Sequence, residues 1–300
     1  MQKRTFGRTG LQVSPLGFGG APVGFLDTEA TAVSKLLNQL VDAGVNVIDT
    51  AASYHGSESL IGNALAARRK EIILISKCGQ SFDDVPGEAW SRKVILGTID
   101  RSLSRLRTDH LDVCLLHSCG IDILERGEAI QALVEAKRAG KIRHGGYSGD
   151  NQAAAYAAAR PDIEVLQTSV NITDQYNMDH VLPIAVEHNV GVMAKRPIAD
   201  AAWNKSRPGM YKSYGQVYED RLKQMGLNAA DYKLTWPQLA LRFTLTVAGV
   251  HTAIVGTTNP EHAHANIQIA DEGPLADNVF QSIRSAFKTA DPDENWLGQT

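Results

Sequence analysis

Val33-Ser34-Lys35-Leu36-Leu37-Asn38-Gln39-Leu40-Val41-Asp42-Ala43-Gly44-Val45-Asn46-Val47-Ile48-Asp49 holds, in one short run, the connection that decides the fold. Val33, Leu36, Leu37, Leu40 and Val41 recur at the spacing that lays one apolar stripe along a helix, and Gly44 suits its left-handed end. Directly behind it stands Val45–Asp49, a short β-branched run of the kind that forms a strand buried on both faces. The device repeats. Ile130, Leu133 and Val134 mark a helix that ends at Ala139-Gly140, and His144-Gly145-Gly146-Tyr147-Ser148 follows as a weaker strand.

Further buried-strand runs are Ile72–Lys77, Val113–His117, Val165–Gln167, Gly191–Ala194 and Thr252–Val255, with Leu16–Gly20 weakened by its glycines. Ile95, Ile99, Leu103 and Leu106 mark one more helix between them. Eight strands alternating with helices over 300 residues predict an α/β chain folded as one (β/α)8 TIM barrel, a single domain over 1–300. An open doubly wound sheet is the alternative, but no βα turn carries GxGxxG. Two segments fall outside the alternation. Lys3–Phe6, the turn Gly7–Gly10 and Leu11–Val13 read as an N-terminal β-hairpin closing the base of the barrel. Residues 200–234, with Trp203, Tyr211, Tyr214, Tyr218 and Tyr232, form an insertion too long for an ordinary connection.

Composition narrows the partners. With 43% hydrophobic positions and a formal charge of −3, no overall field recruits nucleic acid or an anionic membrane. A mean hydropathy of −0.19 and the absence of a long uncharged apolar run argue against a membrane span. The first residues lack the apolar stretch of a secretory signal, and the three cysteines show neither CxxC nor metal-ligand spacing, so no metal is expected. A reducing, cytoplasmic compartment follows as the natural reading.

In a barrel of this kind chemistry sits at the carboxyl ends of the strands. There the sequence puts Asp49, with Tyr54 in the loop behind it, then Lys77, then His117. Singly, each has an ordinary explanation: a cap, a loop aromatic, a snorkelling lysine and a core histidine. Together they form a chemical set. An ammonium near a phenol stabilises the phenolate, a carboxylate behind the ammonium holds it in place, and a histidine can orient a carbonyl oxygen. No serine or cysteine has an evident base, so a cofactor must supply what attacks the carbon. The turn Gly256-Thr257-Thr258-Asn259-Pro260, with Asn259 as N-cap of the next helix, offers an anion site.

In these residues the chain is similar to the aldo-keto reductases. The likeness covers the hairpin, Asp49–Tyr54, Ile75-Ser76-Lys77, Leu115-Leu116-His117, Gly146-Tyr147-Ser148, Gln167, Pro197, and Gly256–Pro260 with Asn266. It implies hydride transfer between a nicotinamide cofactor and a small-molecule aldehyde, ketone or sugar. Tyr54 would be the general acid, Lys77 and Asp49 the pair that activates it, and His117 the carbonyl-orienting residue. Ser148 and Gln167 match carboxamide-holding positions; Gly20, Lys195, Arg196, Pro197, Gly256, Thr257, Thr258, His262 and Asn266 complete the expected cofactor contacts. The chain departs from the pattern in several places. Gly149 stands where an asparagine is usual, so one amide contact is lost or is replaced by Asp150. Lys195, with Arg196 beside it, stands where an aromatic ring often stacks on the nicotinamide; the Arg196 guanidinium could lie against that ring, or either cation could reach the pyrophosphate, and either could equally be a salt-bridged rim cation. Gly256 and His262 replace the lysine and arginine that commonly grip a 2′-phosphate, so NADP(H) is favoured by family habit and NAD(H) stays possible. Phe25, the loop Phe82–Trp90, the loop after His117 and the 200–234 insertion are the expected substrate walls, and Cys119 near the mouth reads as an inert thiol. The competing readings are a regulatory barrel that binds nucleotide with negligible turnover, and a Schiff-base lyase using Lys77.

Overall fold

In the computed structural model, which describes residues 1–26, 28–204 and 212–299 (side chains of 212 and 213 excepted), the connection at Val33–Asp49 is a helix, Ala30–Asp42, leading into a strand. Gly44 lies between them at φ +90°, as its lack of a side chain allows. The strands in chain order are β1 (Arg4–Thr5), β2 (Gln12–Val13), β3 (Leu16–Gly19), β4 (Val47–Asp49), β5 (Ile73–Cys78), β6 (Leu111–His117), β7 (Ile142–Ser148), β8 (Val165–Ser169), β9 (Gly191–Lys195) and β10 (Thr252–Val255). The last eight pair in parallel and close on themselves in the order β10-β3-β4-β5-β6-β7-β8-β9. Helices including Arg92–Leu106 and Glu128–Arg138 cover the outside. The (β/α)8 barrel expected from the alternation is the fold.

Both weak strand candidates are barrel strands, and packing explains their glycines. A Cβ on Gly146 of β7 would come within 2.3 Å of the Val165 carbonyl oxygen and 2.5 Å of Leu115, so only a bare Cα fits there. Inside the barrel Val47, Ile73, Ile75, Val113, Leu115, Val165, Met193 and Ile254 form one apolar cluster. Phe6 and Val13 of the hairpin belong to that cluster, so the hairpin plugs the barrel as well as covering it. Its antiparallel pairing sets Arg4 opposite Val13 and Thr5 opposite Gln12. Arg8 donates to the carbonyls of Arg160, Pro161, Ile163 and His188, and Arg4 donates to Val250 O at 2.9 Å. These carbonyls precede β8, β9 and β10, which puts the hairpin under their amino ends.

The long insertion has structure of its own. A 3-10 turn at Ala199–Ala201, the helix Lys212–Met225 and a second 3-10 turn at Ala229–Tyr232 precede Trp236–Thr246, a helix opened by a Thr235/Gln238 capping box. Residues 205–211, Tyr211 among them, lie outside the described residues. No described helix is long and apolar enough to cross a membrane.

Phe6 is wholly buried in the barrel interior. Phe6→Ala should therefore lower unfolding stability by about 3–5 kcal/mol, read as an earlier midpoint in urea or guanidinium.

Candidate active site

The alternation that points Val47, Ile75, Leu115, Val165 and Met193 into the barrel continues two residues further along each strand. There it delivers Asp49, Lys77, His117, Gln167 and Lys195 to the inner rim at the carboxyl ends. What the sequence offered as separate strand ends, the barrel makes neighbours.

Lys77 is buried, and its Nζ donates to Asp49 Oδ1 at 2.8 Å, to Asp49 Oδ2 at 2.7 Å and to Thr50 O at 2.8 Å. Gln167 Nε2 donates to Asp49 Oδ1 at 3.0 Å, while Gln167 Oε1 accepts from Ser148 Oγ at 2.8 Å. The carboxylate is thus gripped from β5 and β8 at once. Burial works against the Lys77 charge, but the Asp49 carboxylate and then the Tyr54 oxygen outweigh it and hold the ammonium above the usual lysine range. Tyr54 lies alongside, with the Lys77 nitrogen 5.1 Å from its ring centroid. Its ring meets His117 edge-on at 5.8 Å and, on another side, Phe25 at 5.6 Å. Phe25 is 46% exposed. Burial first, and then the charges of Lys77 and Lys195, push His117 well below the usual histidine value, so its imidazole is neutral.

Of the two roles open to Lys195, the structure displays the ion pair: its Nζ lies 2.7 Å from Asp150 Oδ2. The other oxygen of Asp150 accepts from Thr168 Oγ1, Ser169 N and Asn177 Nδ2 at 2.7–2.9 Å. Asp150 is therefore occupied in bracing Lys195 and β8. Arg196 donates to Ser169 Oγ at 3.0 Å and to the Gln299 carbonyl, with its guanidinium 4.0 Å from the Tyr214 ring. The Pro197 carbonyl accepts from Thr244 Oγ1 at 3.0 Å.

Across the rim, Asn259 caps the helix Pro260–Asp271 through Glu261 N at 2.8 Å, and Thr257 Oγ1 accepts from Asn259 N at 3.1 Å. Asn266 is buried on that helix and His262 is exposed. A Cβ on Gly256 would sit 2.7 Å from the Gly19 carbonyl and from Pro22, so this position is closed to a side chain. Gly20 has a packing role too: its N–H donates to Asp49 O at 2.7 Å and its carbonyl accepts from Ser57 Oγ at 2.9 Å. Thr258 completes the turn, partly exposed. A capped helix end, threonine hydroxyls and a buried amide–hydroxyl pair on one rim suit a ligand with phosphates and a carboxamide. Among the described residues no cluster of three His, Cys, Asp or Glu could hold a metal ion. Burial pushes the Cys119 thiol up to about 12, as an inert thiol requires.

Sequence reading missed the carboxyl-terminal tail. Gly298 exchanges two hydrogen bonds with Asn151, at 2.7 and 2.9 Å, and Leu297 O accepts from Arg221 at 2.8 Å. Gln299 N donates to Asp174 at 3.1 Å, so the tail crosses the rim beside β7, β8 and β9. Backbone groups make most of these contacts, and backbone groups leave no mark in a sequence. The loop Phe82–Trp90 is secured by Arg101, whose guanidinium lies 4.0 Å from the Phe82 ring and donates to Asp84 at 2.8 Å.

The Aldo/keto reductase family model matches residues 15–288. The chain is 29% identical over 313 residues to an uncharacterized oxidoreductase, YqkF, of Bacillus subtilis strain 168, covering 96% of this chain and 97% of that one. It is 27% identical over 298 residues to the L-galactose dehydrogenase of Arabidopsis thaliana, covering 91% and 89%. Among solved structures, the holo form of aldo-keto reductase AKR11C1 from Bacillus halodurans superposes with a TM-score of 0.83 at 29% identity, covering 95% of this chain and 96% of that one.

The neutral His117 has a consequence for stability. Its folded pKa lies below the unfolded one, so the unfolded chain binds the extra proton first. The stability that this histidine contributes is full above the unfolded value of about 6.5 and is lost as pH falls through it. Urea midpoints measured from pH 7.5 down to 5 should fall less steeply for His117→Gln than for the parent protein.

Proposed function

The chain belongs to the aldo/keto reductase family, oxidoreductases that act on small-molecule carbonyls with a nicotinamide cofactor, and we propose that Tyr54 is the proton donor of that reaction here. One observation carries the reading: the buried Asp49–Lys77 pair with the Tyr54 ring beside its ammonium. A bound nicotinamide supplies the hydride that adds to the carbonyl carbon. The chain does the rest. Tyr54 gives its hydroxyl proton to the carbonyl oxygen as that oxygen becomes negative, and the Lys77 ammonium stabilises the phenolate left behind. Asp49 keeps the ammonium in place, and His117, a neutral donor, aims the carbonyl oxygen at the phenol. In the oxidative direction the same groups run in reverse, with the phenolate accepting the alcohol proton.

Ser148 and Gln167 would hold the carboxamide, and the turn Gly256–Asn259 with His262 and Asn266 the phosphates and adenosine end. A Schiff-base role for Lys77 fits poorly, because its nitrogen is held charged and has three oxygens around it. A regulatory barrel without turnover has no need of an intact acid with its activating pair.

For the cofactor, the closed position 256 leaves no room for the lysine that commonly grips a 2′-phosphate. Thr257, Thr258 and His262 are donors that serve NADP(H) and NAD(H) alike, and family habit puts NADP(H) first. The test of the reading is titration with NADPH and NADH, followed by a panel of aldehydes, ketones and sugars with the tighter cofactor. Cofactor oxidation that stays at background across that panel would favour the regulatory barrel.

Tyr54→Phe should lower kcat by roughly 10²–10⁴-fold while leaving the cofactor Kd nearly unchanged in a fluorescence titration. His262→Arg should shift preference towards NADPH by about ten- to a hundredfold, the effect of one charge-assisted hydrogen bond worth roughly 1.5–3 kcal/mol. An unchanged NADPH/NADH ratio would put the 2′-position elsewhere.

A further inference from the structure

Ser53, the residue before Tyr54, brings its Oγ to 3.3 Å from His117 Nδ1. No other hydrogen bond of that hydroxyl occurs among the described residues. We propose that Ser53 is a positioning residue: its hydroxyl donates to Nδ1 of His117 and thereby keeps the single ring proton on Nε2, the nitrogen left to donate to substrate.

The inference deepens the reductase reading and rests on it for the role of His117. A doubly protonated imidazole would donate from both nitrogens, and the placing of its protons would not matter. This ring is neutral: it is half-buried at the rim with little water around it, and the two lysines that face it, Lys77 and Lys195, oppose a further charge. A neutral imidazole has one proton to place. Placed on Nδ1, it would be used on Ser53, and the Nε2 lone pair would face a carbonyl oxygen, acceptor against acceptor. Placed on Nε2, it is available for the carbonyl, while the Ser53 proton satisfies Nδ1. The backbone around Ser53 helps to keep it there. The Tyr54 N–H donates to Ala51 O at 3.0 Å and the Ala52 N–H to Lys77 O at 3.3 Å, so the turn carrying Ser53 is tied to the strand end carrying Lys77. The His117 ring also meets Tyr54, the next residue of that turn, edge-on at an interplanar angle of 79°.

The experiment is ¹⁵N NMR of the full-length protein with labelled histidine, the His117 signals being assigned by their loss in His117→Gln. The expected result is the neutral pattern with the proton on Nε2 and a hydrogen-bonded, unprotonated Nδ1. In Ser53→Ala the Nδ1 resonance should move towards the position of an unbonded imine nitrogen, and Ser53→Thr should restore it. Under the same conditions kcat for carbonyl reduction should fall roughly tenfold in Ser53→Ala and recover in Ser53→Thr, with the cofactor Kd unchanged in both. A proton found on Nδ1 in the parent protein would overturn the proposal, and that reading needs no variant to fold. So would an Nδ1 signal indifferent to Ser53→Ala, or a Ser53→Ala kcat equal to the parent's. A parent protein with the expected spectra but no carbonyl turnover would instead sink the reductase reading, leaving the nitrogen assignment standing.

Discussion

Inside a closed barrel the Asp49 carboxylate and the Lys77 ammonium meet at 2.7 and 2.8 Å, and the mouth is arranged around that contact. Neither charge would be tolerated there alone. Removing one partner of a buried pair typically costs about 3–5 kcal/mol, because the other is left unpaired away from water. The surroundings distribute that burden over several strands: Gln167 donates to Asp49 from β8, and Thr50 O takes the remaining donor of Lys77. The pair supplies a fixed positive charge beside the Tyr54 ring at a place where water cannot screen it. A second pair, Asp150 just past the end of β7 with Lys195 of β9, repeats the device. Loss of water around the ring, and then the two lysines, keep His117 neutral.

The barrel was legible because its signal is periodic. A helix stripe ending at Gly44 and a strand run at once behind it describe one unit, and the same device returns at Ala139-Gly140. Strand limits were less legible. The run beginning at Val45 becomes a strand only from Val47, and those beginning at Val113 and His144 start earlier, at Leu111 and Ile142. Pairing with neighbours sets such limits, and a single strand does not contain its neighbours. The site was legible for a related reason. Side chains alternate in a strand, so an apolar inward residue followed two positions later by Asp49, Lys77 or His117 predicts a polar inner rim. The chemistry of the residues already paired Lys77 with Asp49; that Gln167 joins them from β8 and that Lys195 turns to Asp150 was not in the sequence, since it depends on barrel closure.

The departures from the family pattern now have physical reasons or partners. Gly256 is bare because Gly19 and Pro22 occupy the space of a side chain. Asp150 anchors Lys195 and the end of β8. Arg196 is engaged by Ser169, Tyr214 and the tail. The tail itself, joined to Asn151, Asp174 and Arg221, makes residues 297–299 part of the rim.

The claim that matters most is that Lys77 acts through Tyr54 and not independently of it. A double-mutant cycle on kcat for carbonyl reduction, using Tyr54→Phe, Lys77→Met and both together, tests this directly. The account predicts that once the phenol is gone the lysine has nothing to activate, so the double variant is about as slow as Tyr54→Phe alone. Losses that multiply in the double variant would contradict it, and would mean that the ammonium serves the reaction by some other route.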